Sequence, residues 1–151
     1  MYNQNTVLIT GTTSGIGLEL AKSYINMGYK VIGVDRRINE TLQSDKNFHQ
    51  EILNIVNINE VENLIKKIEG QKIITDIFIL NAGFSIYDNT KYFDVIKFKK
   101  SFDINFYGAV NFASMIDKYF LKKKIIFFSS VSRFIPNPSI LAYYSSKDLL
   151  F

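Results

Sequence analysis

An α/β fold on a doubly wound parallel sheet is what this sequence predicts, and three observations predict it. Short apolar runs alternate with amphipathic stretches of helical period along all 151 residues. A turn holding Gly11, Gly15 and Gly17 joins the first apolar run to the first amphipathic stretch. No repeat, linker or low-complexity tract interrupts the alternation, so residues 1–151 read as a single domain. Strands that alternate with helices pair in parallel through right-handed crossovers, which gives a layered fold.

In chain order, "NTVLIT" reads as a short buried strand, and Gly15 to Met27 as a helix closed by Gly28. "KVIGVD" is the second strand, and a third lies within "FHQEILNI". "VENLIKKIEG" follows as a helix with Val61, Leu64, Ile65 and Ile68 on one face. "DIFILNAG" is the fourth strand, Asp94 to Phe120 is mostly helical, and "KIIFFSS" is the fifth strand. A further helix starts between Ser139 and Ala142 and is under way at Phe151.

At 47% hydrophobic residues, a compact chain of this length buries roughly 68–70% of the surface its unfolded form exposes, enough for a core without staples. There is no cysteine, which excludes disulfides and thiolate metal sites, and the single histidine, His49, cannot build an imidazole metal site. The start "MYNQNTVLIT" lacks a basic segment followed by a long apolar one. Runs such as "IFIL" and "IIFF" fall far short of the about 20 apolar residues of a membrane span. The sequence reads as a soluble cytoplasmic protein with no membrane partner. A net charge of +4 and a pI near 9.2 raise nucleic-acid binding as a reading. The lysines are dispersed, however, apart from Lys97, Lys99, Lys100 and the run Lys122 to Lys124, which read as solvated turns. No nucleic-acid partner is expected.

In such a fold the turn from first strand to first helix lies at the carboxyl edge of the sheet, where helix amides point outward and favour an anion. Glycines there allow positive φ and close approach of a pyrophosphate, so the loop is expected to hold a dinucleotide. Leu18 follows Gly17, where a Walker loop needs a lysine, so triphosphate hydrolysis is disfavoured. Asp35 ends the second strand eighteen positions after Gly17, near the offset of an acid that hydrogen-bonds an adenosine ribose. That favours NAD. Arg36 and Arg37 come next, and a guanidinium there could pair with the 2′-phosphate of NADP, which stays the alternative cofactor.

Near the other end stand Ser129, Ser130, Tyr143, Tyr144 and Lys147. A helix stacks Tyr143 and Lys147 on one face, and Tyr144 also reaches Lys147, so spacing alone does not choose between the tyrosines. A phenol of pKa about 10 is a poor base at neutral pH, and an ammonium beside it favours the phenolate.

Taken together, these motifs resemble the short-chain dehydrogenase/reductase family. "TGTTSGIG", Thr10 to Gly17, resembles the family's T-G-x-x-x-G-x-G cofactor loop; "NAG", Asn81 to Gly83, resembles its N-N-A-G segment; "NFYG", Asn105 to Gly108, resembles its N-x-x-G; Tyr143 and Lys147 fit Y-x-x-x-K. The resemblance selects Ser130, thirteen positions before Tyr143, and leaves Tyr144 as a neighbour. It implies hydride transfer between a nicotinamide and an alcohol or carbonyl substrate. Tyr143 would be the general acid/base, Lys147 would lower its pKa and hold the nicotinamide ribose, Ser130 would hydrogen-bond the reacting oxygen, and Asn105 would anchor a relay water through its backbone. Gly11, Thr12, Ser14, Gly15, Ile16, Gly17, Asp35 and Arg36 would bind the cofactor, with Asn54 near its adenine, Ala82 and Gly83 packed close by and Asn81 tying the sheet. Two departures are visible: Leu80 replaces the first Asn of N-N-A-G, and Asn54 stands where the family usually has an Asp.

The resemblance covers only the amino-terminal part of the family's domain. It implies strand order 3-2-1-4-5 without the family's last strands, with strand five as an open edge that leaves room for a homo-oligomer. Turnover by these residues alone is expected to be absent or weak. A catalytically inactive fragment or a noncatalytic dinucleotide-binding module is the alternative reading.

Overall fold

In a computed structural model, which describes residues 5–85, 94–134 and 138–150, five strands form one parallel sheet in the order β3-β2-β1-β4-β5. The strands are β1 (Thr6–Thr10), β2 (Lys30–Asp35), β3 (Phe48–Ile52), β4 (Thr75–Leu80) and β5 (Lys124–Phe127). The helices are α1 (Gly15–Asn26), α2 (Ile58–Gly70), α3 (Val95–Phe102), α4 (Gly108–Tyr119) and α5 (Leu141–Asp148). The order is the one the sequence implies, and β3 and β5 are the sheet's edges.

Alternation along the strands divides the core into two layers. Leu8, Ile32, Val34, Phe78 and Leu80 face α2 and α4, where Val61, Leu64, Ile65, Ile68, Phe112 and Ile116 are buried. Val7, Ile9, Val31 and Ile79 point the other way, toward Ala21 of α1 and toward Leu42 and Phe48. Central parallel strands are covered on both faces, which is why "TVLIT" is buried at every position.

The ends of the helices follow local chemistry. At the end of α1, Gly28 adopts φ +84° and Tyr29 N–H reaches back to Tyr24 O at 3.0 Å, a glycine-closed terminus. The second helix begins at Ile58, ahead of the stretch its apolar face marks, because Asn57 caps it. The Asn57 side chain accepts from Asn59 N–H, and its amide donates to Glu60 Oε1 at 2.8 Å. Asp94 caps α3 through Ile96 N–H and Lys97 N–H. Between α3 and α4 the chain makes a π-helical turn over Asp103–Tyr107, a feature no apolar period announces. Across the α2–α4 face, the Lys118 ammonium, with the Tyr119 hydroxyl and Lys66, holds the Glu62 carboxyl down at about 2. Among the described residues no helix is long and apolar enough to cross a membrane.

Candidate functional site

The carboxyl ends of the strands open into a cleft of about 420 Å³, where an open parallel sheet places ligands. Its floor is the turn after β1. Gly11 has φ +78° and donates its N–H to Val34 O at 2.7 Å; a Cβ there would lie 2.9 Å from Ala82 Cα. At Gly15 the φ is +57°, with nothing within 4 Å of a built Cβ. Gly17 differs again, since its Cβ would fall 2.0 Å from Gly11 O. The three glycines thus do three jobs: Gly11 packs the turn on the segment after β4, Gly15 opens space in the cleft, and Gly17 seats α1 against the turn. Ser14, extended at φ −161°, makes no side-chain cap, so the first amides of α1 face the cleft as donors.

Beside the turn, Asp35 closes β2 with four hydrogen bonds. Its Oδ2 accepts from Thr13 N–H at 3.2 Å and Thr13 Oγ1 at 2.8 Å, and its Oδ1 accepts from Arg36 and Arg37 N–H at 2.7 and 3.3 Å. Arg37 Nη2 donates to the same Thr13 hydroxyl at 3.1 Å. Thr13 therefore sits between the acid and a guanidinium, a bridge that the sequence signals only by lying inside the glycine turn. Arg36 and Arg37 both line the cleft.

On the opposite wall, Asn81 Nδ2 donates to Thr10 O at 3.1 Å and Gly11 O at 3.4 Å, and Ala82 N–H donates to Thr10 Oγ1 at 3.0 Å. These bonds tie the end of β4 to the end of β1. Lys147 is 3% exposed, and its Nζ donates to Phe128 O at 2.8 Å. Ser129 Oγ donates back to Lys147 O at 2.9 Å. Burial pushes the Lys147 ammonium down to about 8. A Cβ on Gly83 would lie 3.1 Å from Lys147 Nζ and 3.0 Å from Asn105 Oδ1, so the absence of a side chain at Gly83 lets both groups approach.

Of the residues expected in the site, Gly11, Ser14, Gly15, Ile16, Asp35, Arg36, Asn54, Asn81, Ala82, Gly83, Tyr143 and Lys147 line the cleft. Four do not. Thr12 is fully buried beneath the turn, its carbonyl accepting from Asn39. Gly17 lies within α1. Asn105 is 0% exposed in the π-helical turn, and Ser130 Oγ accepts from Ser132 N–H at 3.2 Å and Ser132 Oγ at 2.8 Å. Ser129 lines the cleft instead of Ser130, and Tyr143 lines it whereas Tyr144 does not. No motif in the sequence marks Ser146, which is fully buried, receives a hydrogen bond from Asn105 Nδ2 at 2.9 Å and donates to Tyr143 O at 2.8 Å. Among the described residues no group of His, Cys, Asp and Glu could hold a metal ion.

A parallel sheet in this order, with a glycine turn under a cleft and an acid at the end of β2, defines a Rossmann-type α/β protein. The short chain dehydrogenase family model matches residues 5–150, and the chain belongs to that family. It is 28% identical to a "Dehydrogenase/reductase SDR family protein 7-like" of Dictyostelium discoideum, covering 97% of this chain and 51% of the relative. It is 34% identical to the 3-oxoacyl-[acyl-carrier-protein] reductase FabG of Buchnera aphidicola, covering 97% of this chain and 63% of that one. The chain thus spans about half to two thirds of the length of these relatives. A solved short chain dehydrogenase from Leptospira borgpetersenii with bound NAD+ superposes with a TM-score of 0.88 at 24% identity, over 97% of this chain and 61% of that one. A serine dehydrogenase complexed with NADP+ does so with a TM-score of 0.87 at 23% identity, over 96% and 62%.

Proposed function

We propose that the chain is the dinucleotide-binding part of an NAD(P)-dependent oxidoreductase that interconverts an alcohol and a ketone or aldehyde. The observation that carries this is the convergence of Tyr143 and Lys147 on the same cleft as Gly15 and Asp35. The cleft fits a dinucleotide: Gly15 leaves open space over the uncapped start of α1, which suits a pyrophosphate, and Asp35 offers carboxylate oxygens to a ribose. When bound, the nicotinamide supplies or accepts the hydride. The family membership and the cofactors seen in the Leptospira protein and the serine dehydrogenase support the same reading.

Within that reading the chain's own residues divide the work. Tyr143 carries the proton to or from the substrate oxygen. Lys147, one helical turn on and held by Phe128 O, holds the nicotinamide ribose beside it. Ser130 hydrogen-bonds the reacting oxygen, and Asn105, in the π-helical turn, anchors a proton-relay water through its backbone. Asn54, which lines the cleft, would meet the adenine. Asp35 gives NAD the advantage over NADP by repelling a 2′-phosphate. Mixing the protein with NADH or NADPH and a panel of ketones and aldehydes, and following nicotinamide absorbance, tests the assignment. Little or no turnover is expected of these residues alone; joined to the remaining part of a family member's domain, they are expected to give turnover that Tyr143→Phe abolishes and Tyr144→Phe largely spares. Turnover indifferent to Tyr143→Phe would contradict it.

A further inference from the structure

Behind the Asp35 corner lies a set of buried and half-buried amides that the proposed chemistry does not use. Gln50 sits on β3, paired with Gly33 of β2. Its Oε1 accepts from Asn39 N–H at 2.7 Å, and its Nε2 donates to the Arg37 carbonyl. One side-chain amide therefore pins the loop after β2 at two points. Asn39, 1% exposed, ties the same loop to the glycine turn: its Nδ2 donates to Thr12 O at 2.7 Å. The Asn39 Oδ1 accepts from Thr41 and Leu42 N–H at 3.0 and 2.9 Å. Neither Gln50 nor Asn39 lines the cleft.

What these two residues hold is the backbone that aims Arg37. Pinned at its carbonyl by Gln50, Arg37 rests its guanidinium on Thr13 Oγ1, whose own hydrogen goes to Asp35. The Arg37 charge is thereby committed beside the carboxylate, which leaves Arg36 as the other cation at this corner of the cleft. A free guanidinium would take a phosphate with two parallel N–H bonds, among the strongest contacts available to it.

We infer that Gln50 and Asn39 are positioning residues that set the cleft's preference between dinucleotides with and without a 2′-phosphate, by parking Arg37 on Thr13. The inference rests on the dinucleotide reading above and names a determinant of that site that lies outside it. Releasing the loop frees the Arg37 guanidinium for a 2′-phosphate.

The test is fluorescence titration of NADH and NADPH against the wild type, Gln50→Leu, Asn39→Asp, Arg37→Ala and the Gln50→Leu/Arg37→Ala double variant. Gln50 lies half-buried on an edge strand that accepts an apolar side chain. Asn39→Asp keeps the acceptor for Thr41 and Leu42 while losing the donor to Thr12, so it gives a second route to the same release. Gln50→Leu and Asn39→Asp are expected to raise NADPH affinity relative to NADH by about tenfold, the scale of one charge-assisted hydrogen bond. In the Arg37→Ala background Gln50→Leu should leave the ratio unchanged. A purely structural role would weaken both cofactors equally and persist without Arg37, and that outcome, or an unchanged ratio, overturns the inference alone. A wild type that binds neither dinucleotide overturns the proposed function and this inference together.

Discussion

Asn105 grips the peptide of Phe84 from both sides: its Oδ1 accepts from Phe84 N–H at 2.8 Å, and its Nδ2 donates to Phe84 O at 3.0 Å. The same Nδ2 lies 3.1 Å from Ser101 Oγ and 2.9 Å from Ser146 Oγ. One buried amide thus joins the segment after β4, the helix leading into the π-helical turn, and the helix that carries Tyr143 and Lys147.

Asn105→Ala removes the acceptor for Phe84 N–H and a two-hydrogen donor that Phe84 O shares with the Ser101 and Ser146 hydroxyls, which keep each other and Tyr143 O as partners. Each unsatisfied buried group costs about 1–3 kcal/mol, and some recover water through the cleft, so a loss of about 3 kcal/mol is expected. Denaturant unfolding measures it. A loss under about 1 kcal/mol would show that the clamp is not a structural tie.

Gly17→Ala and Gly15→Ala should separate sharply. At Gly17 the added methyl meets the Gly11 carbonyl, which is backbone and cannot swing away, whereas at Gly15 only the φ of +57° opposes it. The expected costs are about 3 kcal/mol or more at Gly17 and about 1–2 kcal/mol at Gly15. Thermal or denaturant unfolding of the two variants checks the order, which reverses if the turn rather than α1 yields.

How much of this was legible follows from the kind of force involved. The strands were, because their central residues, Val7 to Ile9, Val31 to Val34 and Phe78 to Leu80, are buried and so run without a polar interruption. The glycine turn and the pairing of Tyr143 with Lys147 were legible as motifs. The Asn105 clamp, the Ser146 bridge and the Gln50–Asn39 brace were not. They are hydrogen bonds between residues distant in sequence, such as Asn105 and Ser146 or Asn39 and Thr12. A polar side chain buried in that way breaks no period that would reveal it. The same reason hid the π-helical turn, which lies inside a stretch whose composition is helical throughout.

Lys147 makes stability depend on pH with a sign fixed by its burial. Its folded pKa of about 8 lies below the ordinary 10.5. The cost of burying the cation is therefore fully present below about pH 8 and is relieved as pH rises from about 8 to 10.5. Relative to Lys147→Met, the wild type should gain roughly 3 kcal/mol over that window. Parallel unfolding curves of the two proteins at pH 7 and pH 10 measure the difference, and a wild type that loses stability relative to the variant on going alkaline would show that the ammonium is instead stabilised.

A nicotinamide dinucleotide is the proposed occupant of the Gly15–Asp35 cleft. Titrating NADH into the wild type and into Gly15→Val, with folding of both confirmed by circular dichroism, tests it most directly, because the new side chain would enter space that is open at Gly15. Saturable one-site binding by the wild type, displaced by ADP-ribose and lost in Gly15→Val, is expected. Absence of binding by the wild type, or equal affinity of the two folded proteins, would contradict it.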